Sequence, residues 1–220
     1  MERTGHAKMT GMSNAGTGCR PSAAVTGRRT RTPSASVSGE LVAAAEAVLV
    51  RDGPGALTVR AVATEAGIAP MGVYNRFGGK EGLVEALLII GFDRLRAAIE
   101  SGDEPVMIER LRASGLRYRA FALANPSFYA VMFEDAIPHE HDSEEVGEHA
   151  NAAFGALVRL VELTAASGAI VAADPAEAAQ QIWSCVHGAV ALELKGLVQT
   201  PDPLATYESF LDTILRGLAP

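Results

Sequence analysis

Apolar side chains recur at steps of three and four residues along most of the chain, and short breaks that contain glycine, proline or aspartate divide these stretches. This period predicts amphipathic helices, and no stretch shows the apolar–polar alternation of a β-strand. The first helix is predicted to begin at Ser38, a suitable N-cap residue, and to end at Arg51, before the break at residues 52–55. The pattern therefore predicts an all-α fold.

Eight further helices are predicted along the rest of the chain. Threonine, serine or aspartate can cap several of them, and glycine or proline stands where many of them end. The helix at Lys80–Ile99 is apolar around much of its circumference, so we expect neighbouring helices to cover it on more than one side. The eight helices occupy about Thr58–Gly67, Ala69–Arg76, Lys80–Ile99, Pro105–Asn125, Pro126–Glu134, Ser143–Ala166, Pro175–Val198 and Leu204–Leu218.

The charge is distributed unevenly along the 220 residues, of which 48% are hydrophobic and only 5% aromatic. Residues 1–37 carry six basic side chains and one acidic one, whereas the formal net charge of the whole chain is −7. This tail contains no Leu, Ile, Phe, Trp or Tyr, so it cannot offset the entropy of folding, and we expect it to be disordered. A basic tail on an acidic body suits an arm that touches phosphate, and the overall charge argues against a general nucleic-acid coat protein.

The two cysteines, Cys19 and Cys185, stand far apart and form neither a disulfide framework nor a metal-binding pair. No stretch approaches the roughly 18 uninterrupted apolar residues of a membrane span, and no signal core follows the N-terminus. We therefore expect a soluble, cytoplasmic protein without a cofactor. The polar run His139–Asp142, with His149 nearby, could suggest a metal site, but a solvated acidic loop is the simpler interpretation and we expect no metal.

The most specific stretch is the run Thr58–Leu83, which encodes two short helices joined by a glycine turn. Small residues stand where the helices would cross, and Val62, Val73 and Phe77 would fill the space between them. Such a pair holds its second helix rigidly and leaves the outer face of that helix free to enter a DNA major groove.

This run closely resembles the DNA-binding domain of the TetR family of bacterial regulators. The turn at Gly67, the segment Val73–Phe77 and the segment Lys80–Leu83 match that family in order. The resemblance implies a dimeric, one-component transcription regulator that binds a palindromic DNA operator and responds to a small-molecule effector.

The resemblance also implies roles for individual side chains. Thr58 would contact a phosphate from the start of the first short helix, and Tyr74 would bind another phosphate through its hydroxyl. Met71 and Gly72 would meet base edges, and Lys80 would bind a phosphate at the N-terminus of the long helix, where the helix dipole favours an anion. The full implied set of DNA-binding residues is Thr58, Pro70, Met71, Gly72, Tyr74, Asn75 and Lys80.

The charge of this region does not favour DNA binding, because residues 38–100 carry six basic and eight acidic side chains. An arginine that could read guanine is not obvious on the second short helix, unless Arg76 points outward. We therefore expect the basic tail to contribute to affinity, which would make binding depend steeply on salt.

A second specific stretch contains Trp183, His187 and Gly188. Trp183 and His187 are four residues apart, so they share one helix face, and Gly188 would let another helix approach closely. This stretch, with the upstream segment Tyr118–Glu134, resembles the C-terminal domain of a TetR branch named for its Trp-His-Gly pattern. Dimerisation and ligand binding are the two roles that compete for this half of the chain.

Two sets of residues are candidates for these roles. The last two helices suit a dimeric four-helix bundle, because the three–four recurrence after Leu204 makes a continuous seam. Packing within the chain would use the same seam, but we favour the dimer because operator binding requires paired half-sites. The aromatic residues suit either an apolar effector pocket or an ordinary core, and for His187 an interior position with satisfied hydrogen bonds is the simpler alternative. The candidate dimer residues are Leu204, Tyr207, Leu211, Ile214 and Leu218, and the candidate pocket residues are Phe92, Phe121, Phe128, Met132, Trp183 and His187.

These observations predict a disordered tail at 1–37, a DNA-binding domain at 38–82 and an effector-binding and dimerisation domain at 83–220, linked by the helix at 80–99. We predict a repressor that leaves DNA when a small apolar effector moves that helix. No nucleophile–base pair, phosphate loop or metal spacing supports an enzyme. An architectural DNA-binding protein, or a helical ligand-binding protein without specific DNA binding, is the alternative.

Overall fold

The computed structural model describes residues 34–134 and 143–220, and over these residues the fold is all-α, as predicted. A short 3₁₀-helix at Pro54–Ala56 follows the first α-helix. None of the helices in the described part is long and apolar enough to cross a membrane. The nine α-helices of these residues are α1 Ser34–Asp52, α2 Val59–Glu65, α3 Pro70–Phe77, α4 Lys80–Glu100, α5 Met107–Ala124, α6 Pro126–Phe133, α7 Glu144–Ala166, α8 Pro175–Leu194 and α9 Pro203–Gly217.

Side-chain caps fix where four of these helices begin. In each case a serine, threonine or aspartate oxygen accepts a hydrogen bond from a backbone N–H of the first turn, which would otherwise lack a partner. Proline follows the cap directly in α8 and α9, where the missing N–H has no cost. The capping residues are Thr58, Ser143, Asp174 and Asp202.

The start of α1 differs from the prediction. The sequence indicates Ser38 as the N-cap, but the helix begins at Ser34. The last four residues of the tail predicted to be disordered are therefore helical. Residues 1–33 lie outside the described residues, as does the polar run His139–Asp142.

Two clusters of buried side chains form the core of the described residues. Leu41, Val62 and Leu83 belong to the first, which α1–α4 build together with α6 and α7. Tyr118 and Val190 belong to the second, which joins α5–α9. Helix α4 contributes to both clusters and packs against α1, α3, α5, α6 and α7, so it is covered on several sides, as its wide apolar surface predicts.

Helices α4 and α6 approach each other closely at Gly91. A Cβ added there would lie 2.7 Å from Met132 Sδ and 3.3 Å from the Phe128 ring, which is closer than side chains normally pack. The glycine therefore lets α6 lie directly against the middle of α4. A displacement of one of these helices should therefore displace the other.

Candidate functional site

Helices α2 and α3 form the predicted helix-turn-helix. Thr58 Oγ1 accepts a hydrogen bond from the backbone N–H of Ala61 at 3.1 Å and so begins α2. Gly67, at φ 65°, forms the turn in the left-handed region that glycine adopts without strain. Val62 and Val73 are fully buried and hold the two short helices together.

The outer face of α3 is open to solvent. Met71 is 64% exposed and Tyr74 is 51% exposed, which is unusual for large apolar and aromatic side chains. Phe77, by contrast, packs against the first core cluster. Of the residues proposed from sequence as DNA contacts on α3, the exposed ones are Pro70, Met71, Tyr74 and Asn75, and Gly72 is half-buried.

Ion pairs neutralise three of the six cations of α1–α4, and none of these three lies on the helix-turn-helix. The pairs are Arg51–Asp52, Arg51–Glu65, Arg94–Glu46 and Arg96–Glu100. Among the described residues, the cations of α1–α4 without an ion pair are Arg60, Arg76 and Lys80, which lie on α2, on α3 and at the start of α4. The unpaired cations of α1–α4 thus lie in or beside the helix-turn-helix, where they can contact phosphates, although the exposed Glu81 beside Lys80 also has no ion pair within the described residues.

Arg60 and Arg76 are additions to the residues expected from sequence. Arg60 is exposed in the first turn of α2, two residues after Thr58, and this position was its only signal in the sequence. Arg76 is also exposed, and its guanidinium donates a hydrogen bond to the carbonyl of Gly72 at 3.3 Å. It does point outward from α3, which the sequence left open.

Lys80 is the first residue of α4, as predicted. The two preceding residues, Gly78 and Gly79, have φ values of 71° and 153°, which only glycine adopts readily. This tight connection places the Lys80 ammonium group at the N-terminus of a 21-residue helix, where the helix dipole favours an anion.

A cavity of about 400 Å³ lies among α4–α9. Its lining is mainly apolar and includes three of the pocket residues proposed from sequence, Phe92, Met132 and Trp183. Phe133 and Phe154, which the sequence analysis did not propose, complete an aromatic wall. A volume in this range suits a small organic ligand.

Phe121, Phe128 and His187, which the sequence also proposed for a pocket, do not line this cavity. Phe121 is buried in the second core cluster. The Phe128 ring packs beside Gly91, and the guanidinium of Arg94 lies 5.2 Å from its centroid. All three side chains face neighbouring helices rather than the open space. The helical period of the sequence cannot distinguish these two environments.

Tyr118, Tyr129 and His187 form a tyrosine–histidine cluster beside the cavity. Tyr118 Oη and Tyr129 Oη each lie 2.9 Å from His187 Nδ1, and Tyr129 Oη also lies 3.4 Å from the His187 carbonyl oxygen. Burial lowers the pKa of His187, against a smaller opposing influence of Glu134, so the imidazole is neutral at pH 7. His187 is therefore an interior histidine with satisfied hydrogen bonds.

Arg112 is the only charged residue in the described lining of the cavity, and it is already paired. Its Nε donates a hydrogen bond to Asp212 Oδ1 at 2.6 Å, and Glu208 lies 4.0 Å away. The hydrogen bond raises the pKa of Arg112 and lowers that of Asp212, so both groups stay charged over a wide pH range.

The apolar seam that the sequence predicts for a dimer packs mostly within the chain. Because α9 is a single amphipathic helix, its three–four stripe turns toward α5 and the cavity, as the alternative interpretation holds. Tyr207 and Leu211 are buried, Ile214 lines the cavity, Leu218 packs against the second core cluster, and Leu204 is 45% exposed.

Helices α8 and α9 present a second, outer face. On α8 this face carries Cys185, Gly188 and Leu192, all exposed. A Cβ added at Gly188 would meet nothing within 4 Å, so the close helix approach predicted at this glycine does not occur within the chain. On α9, Ser209 is exposed on the side away from the buried seam, and Leu204, at the start of that seam, is exposed as well.

Ser184, Cys185 and His187 do not form a nucleophile–base pair. Ser184 Oγ donates a hydrogen bond to the Gln180 carbonyl at 2.8 Å, and His187 Nδ1 is occupied by the two tyrosine hydroxyls. Cys185 is an exposed free thiol. Within the described part of α8, neither Ser184 nor Cys185 forms a hydrogen bond with the His187 ring.

Two domain families match the chain. A model described as bacterial regulatory proteins of the tetR family matches residues 41–87, which contain the helix-turn-helix. A second model, described as the tetracyclin repressor-like C-terminal domain, matches residues 111–214, which contain the cavity wall from α5 to α9.

Whole-chain comparisons agree. An HTH-type transcriptional regulator of Mycobacterium tuberculosis is 27% identical over 209 residues, covering 90% of this chain and 88% of the relative. A solved protein of unknown function from Rhodococcus sp. RHA1 is 28% identical, with a TM-score of 0.75, and covers 89% of this chain and all of its own. A TetR transcriptional regulator from Streptomyces coelicolor is 26% identical, with a TM-score of 0.54, over 83% of this chain and 98% of that one.

Both halves of the chain thus match domains of one family, and the exposed face of α3 provides the surface that the activity of that family requires. The chain belongs to the TetR family and is a DNA-binding transcription regulator.

Proposed function

We propose that the protein is a homodimeric repressor that binds a palindromic operator and releases it when a small apolar effector occupies the cavity. The observation that carries this proposal is the double role of α4. This helix lines the cavity with Phe92, Leu95 and Ile99 and places Lys80 beside α3 at its other end. A ligand that shifts α4 would therefore move the DNA-binding surface, and couplings of about 1–3 kcal/mol between two such sites are typical.

The proposed DNA-binding domain comprises residues 38–82, and the effector and dimerisation domain residues 83–220. No step of the proposal requires catalysis or a metal. Exposed side chains on α3 would enter the major groove, while the unpaired cations around it would bind phosphates. The proposed contacts are Thr58, Arg60, Pro70, Met71, Gly72, Tyr74, Asn75, Arg76 and Lys80.

The outer face of α8 and α9 is proposed as the dimer interface. It combines exposed leucines, Leu192 and Leu204, with a glycine and a serine that would let two helix pairs approach closely. A two-fold dimer places two α3 helices about one DNA turn, or 34 Å, apart, which is the spacing that a palindromic operator requires.

Selection of a randomised DNA pool on the purified protein is expected to enrich an inverted repeat. On that repeat, the Tyr74→Ala/Lys80→Ala double variant should bind at least about 100-fold more weakly, because each dimer loses two pairs of contacts to charged phosphates. Fluorescence anisotropy at constant salt measures the dissociation constants.

Lys195→Ala is the matched control for the lost positive charge. Lys195 is an exposed lysine that pairs with Glu134 at 3.3 Å and lies after α8, outside the helix-turn-helix. We expect less than about a threefold change in affinity, since a single surface ion pair contributes little. An unchanged affinity of the double variant, or a folded protein that enriches no sequence at low salt, would reject the proposed DNA-binding surface.

A Gly188→Glu/Ser209→Glu variant is expected to be monomeric in analytical ultracentrifugation. It places carboxylates on both helices of the proposed interface, where they would face each other across the two-fold axis without a partner. Leu163→Glu is the control, because Leu163 is 56% exposed on α7, outside that interface. A variant that stays dimeric would exclude the α8–α9 face as the interface.

A further inference from the structure

The wall of the cavity is aromatic along α6, α7 and α8. The Trp183 ring lies 6.2 Å from the Phe133 ring and 6.1 Å from the Phe154 ring, measured between centroids, and Phe92 lies 5.9 Å from Phe133. All four side chains line the same space. Rings at these separations offer edges and faces against which a further flat ring system packs well.

The charges around the cavity disfavour an ionic ligand. The described lining contains no aspartate or glutamate that could pair with a cation. The positive charge of Arg112 is already paired with Asp212 at 2.6 Å, and Glu208, 4.0 Å from the guanidinium, would repel an anion placed beside it. Because an unpaired charge is costly in an apolar space, the cavity suits an uncharged molecule.

The tyrosine–histidine cluster contains two hydroxyl donors, but His187 Nδ1 can accept only one hydrogen bond. A neutral imidazole Nδ1 makes a single hydrogen bond in the ring plane, yet two tyrosine hydroxyls lie 2.9 Å from it. Tyr129 has a second acceptor, the His187 carbonyl at 3.4 Å. Burial raises the pKa of Tyr118, so this hydroxyl stays protonated and able to donate.

Only Tyr118 of the three cluster residues lines the cavity. If Tyr129 donates to His187 Nδ1, the Tyr118 proton is free to point to a ligand, and no buried polar group loses its partner. This rearrangement of hydrogen bonds therefore frees the Tyr118 hydroxyl to donate to a ligand at little cost in free energy. The other polar residues differ, since Ser114 already donates to the Leu111 carbonyl at 2.7 Å, and Asn151 and Gln180 are exposed to water.

We infer that the effector is an uncharged molecule with a flat aromatic ring system and one hydrogen-bond acceptor, and that Tyr118 donates to that acceptor. This inference rests on the proposed function, because it specifies the ligand of the proposed effector site. It assigns Trp183, Phe133 and Phe154 to the ring system and Tyr118 to the acceptor.

Four naphthalene derivatives of similar size test the ligand class. 2-Acetylnaphthalene is neutral with a carbonyl acceptor, 2-ethylnaphthalene lacks the acceptor, 2-naphthoate is an anion, and trimethyl(2-naphthyl)ammonium is a cation. Trp183 is the single tryptophan of the chain, so quenching of its emission reports binding in the cavity, and calorimetry gives the dissociation constants. We expect the ketone to bind most tightly, about five- to tenfold more tightly than the hydrocarbon, and the two ions to bind most weakly.

The Tyr118→Phe variant separates the hydrogen bond from apolar packing. It should weaken binding of the ketone by about five- to tenfold and leave binding of the hydrocarbon unchanged, since only the hydroxyl is lost. Tyr207→Phe is the control, because this tyrosine also loses a buried hydroxyl, which donates to the Gly115 carbonyl at 2.9 Å, but does not line the cavity. Both affinities should stay at the wild-type value in that variant.

Tighter binding of either ion, equal binding of ketone and hydrocarbon, or equal losses for both in Tyr118→Phe would overturn the inference and leave the effector site intact. Absence of Trp183 quenching by all four compounds would also overturn it. The proposed function fails in a different way, if the ketone binds in the cavity but does not weaken binding to the selected operator.

Discussion

Replacing Gly82 with alanine is expected to lower the free energy of unfolding by about 2–3 kcal/mol and to weaken operator binding strongly. A Cβ at this position in α4 would lie 2.1 Å from the Phe77 carbonyl oxygen and 2.9 Å from the Phe77 carbonyl carbon. Both atoms belong to the backbone, so no side-chain rotation relieves the clash. The gain in helix propensity, about 1 kcal/mol for alanine over glycine, is too small to compensate.

The loss of DNA binding has a geometric cause. The clash lies where α3 ends and α4 begins, so its relief must separate Tyr74 on α3 from Lys80 on α4. Urea denaturation measures the stability, and anisotropy on the selected operator measures the affinity at a temperature where the variant is still folded. Affinity should fall more than the fraction of folded protein, because the folded variant itself has a displaced recognition helix.

Gly155→Ala is the control for this substitution. Gly155 lies within α7, and an added Cβ would meet only Arg159 Nη1, at an ordinary contact distance of 3.5 Å. Alanine should therefore stabilise the protein slightly, by up to about 1 kcal/mol, and leave operator binding unchanged. If Gly82→Ala behaved like Gly155→Ala, the close contact between α3 and α4 would not exist in solution.

The helix-turn-helix could be predicted from the sequence because its determinants are local. Thr58, Gly67, Gly78 and Gly79 each act within a few residues, through a cap or a backbone angle, and the structure places them where the sequence indicates. The start of α1 was predicted incorrectly because a local signal can also mislead. Ser38 has the chemistry of an N-cap, but the helix already begins at Ser34.

The cavity could be predicted only in part because an empty space depends on all the helices around it. The helical period identifies Phe92 and Phe128 equally as inward-facing. Phe128 fills the space beside Gly91, whereas Phe92 stands at the cavity, and no local signal distinguishes the two. The shared hydrogen bonding of Tyr118 and Tyr129 is also non-local, since it depends on α5, α6 and α8 meeting at His187.

The two faces of α9 show the same limit of prediction from sequence. The apolar seam from Tyr207 to Leu218 could serve either a partner or the chain itself, and the choice depends on where α5 lies. Gly115 on α5 leaves room for Leu211, because a Cβ there would lie 2.7 Å from Leu211 Cδ2. The inner face is therefore used within the chain, and the exposed face remains available for the proposed dimer interface.

Replacing Arg119 with methionine is expected to lower the free energy of unfolding by about 3 kcal/mol or more. Arg119 on α5 and Glu193 on α8 form a pair whose side chains are only 15% and 14% exposed, with Arg119 Nε donating to Glu193 Oε2 at 2.7 Å. The guanidinium also lies 5.8 Å from the centroid of Tyr207 on α9. Its removal leaves a buried carboxylate without a partner where three helices of the C-terminal domain meet.

An Arg119→Met/Glu193→Leu double variant should recover most of the lost stability, because it removes the unpaired charge and keeps the space filled. On this account, the single variant loses stability because the Glu193 carboxylate is buried without a partner, and not because an attractive ion pair is lost. Arg159→Met is the exposed counterpart, since Arg159 is 57% exposed and its partner Glu100 is 44% exposed, so its loss should cost less than about 1 kcal/mol. Thermal melts at one protein concentration should show a decrease of roughly 6–12 °C for Arg119→Met alone, whereas equal decreases for the single and double variants would mean that the pair itself stabilises the fold.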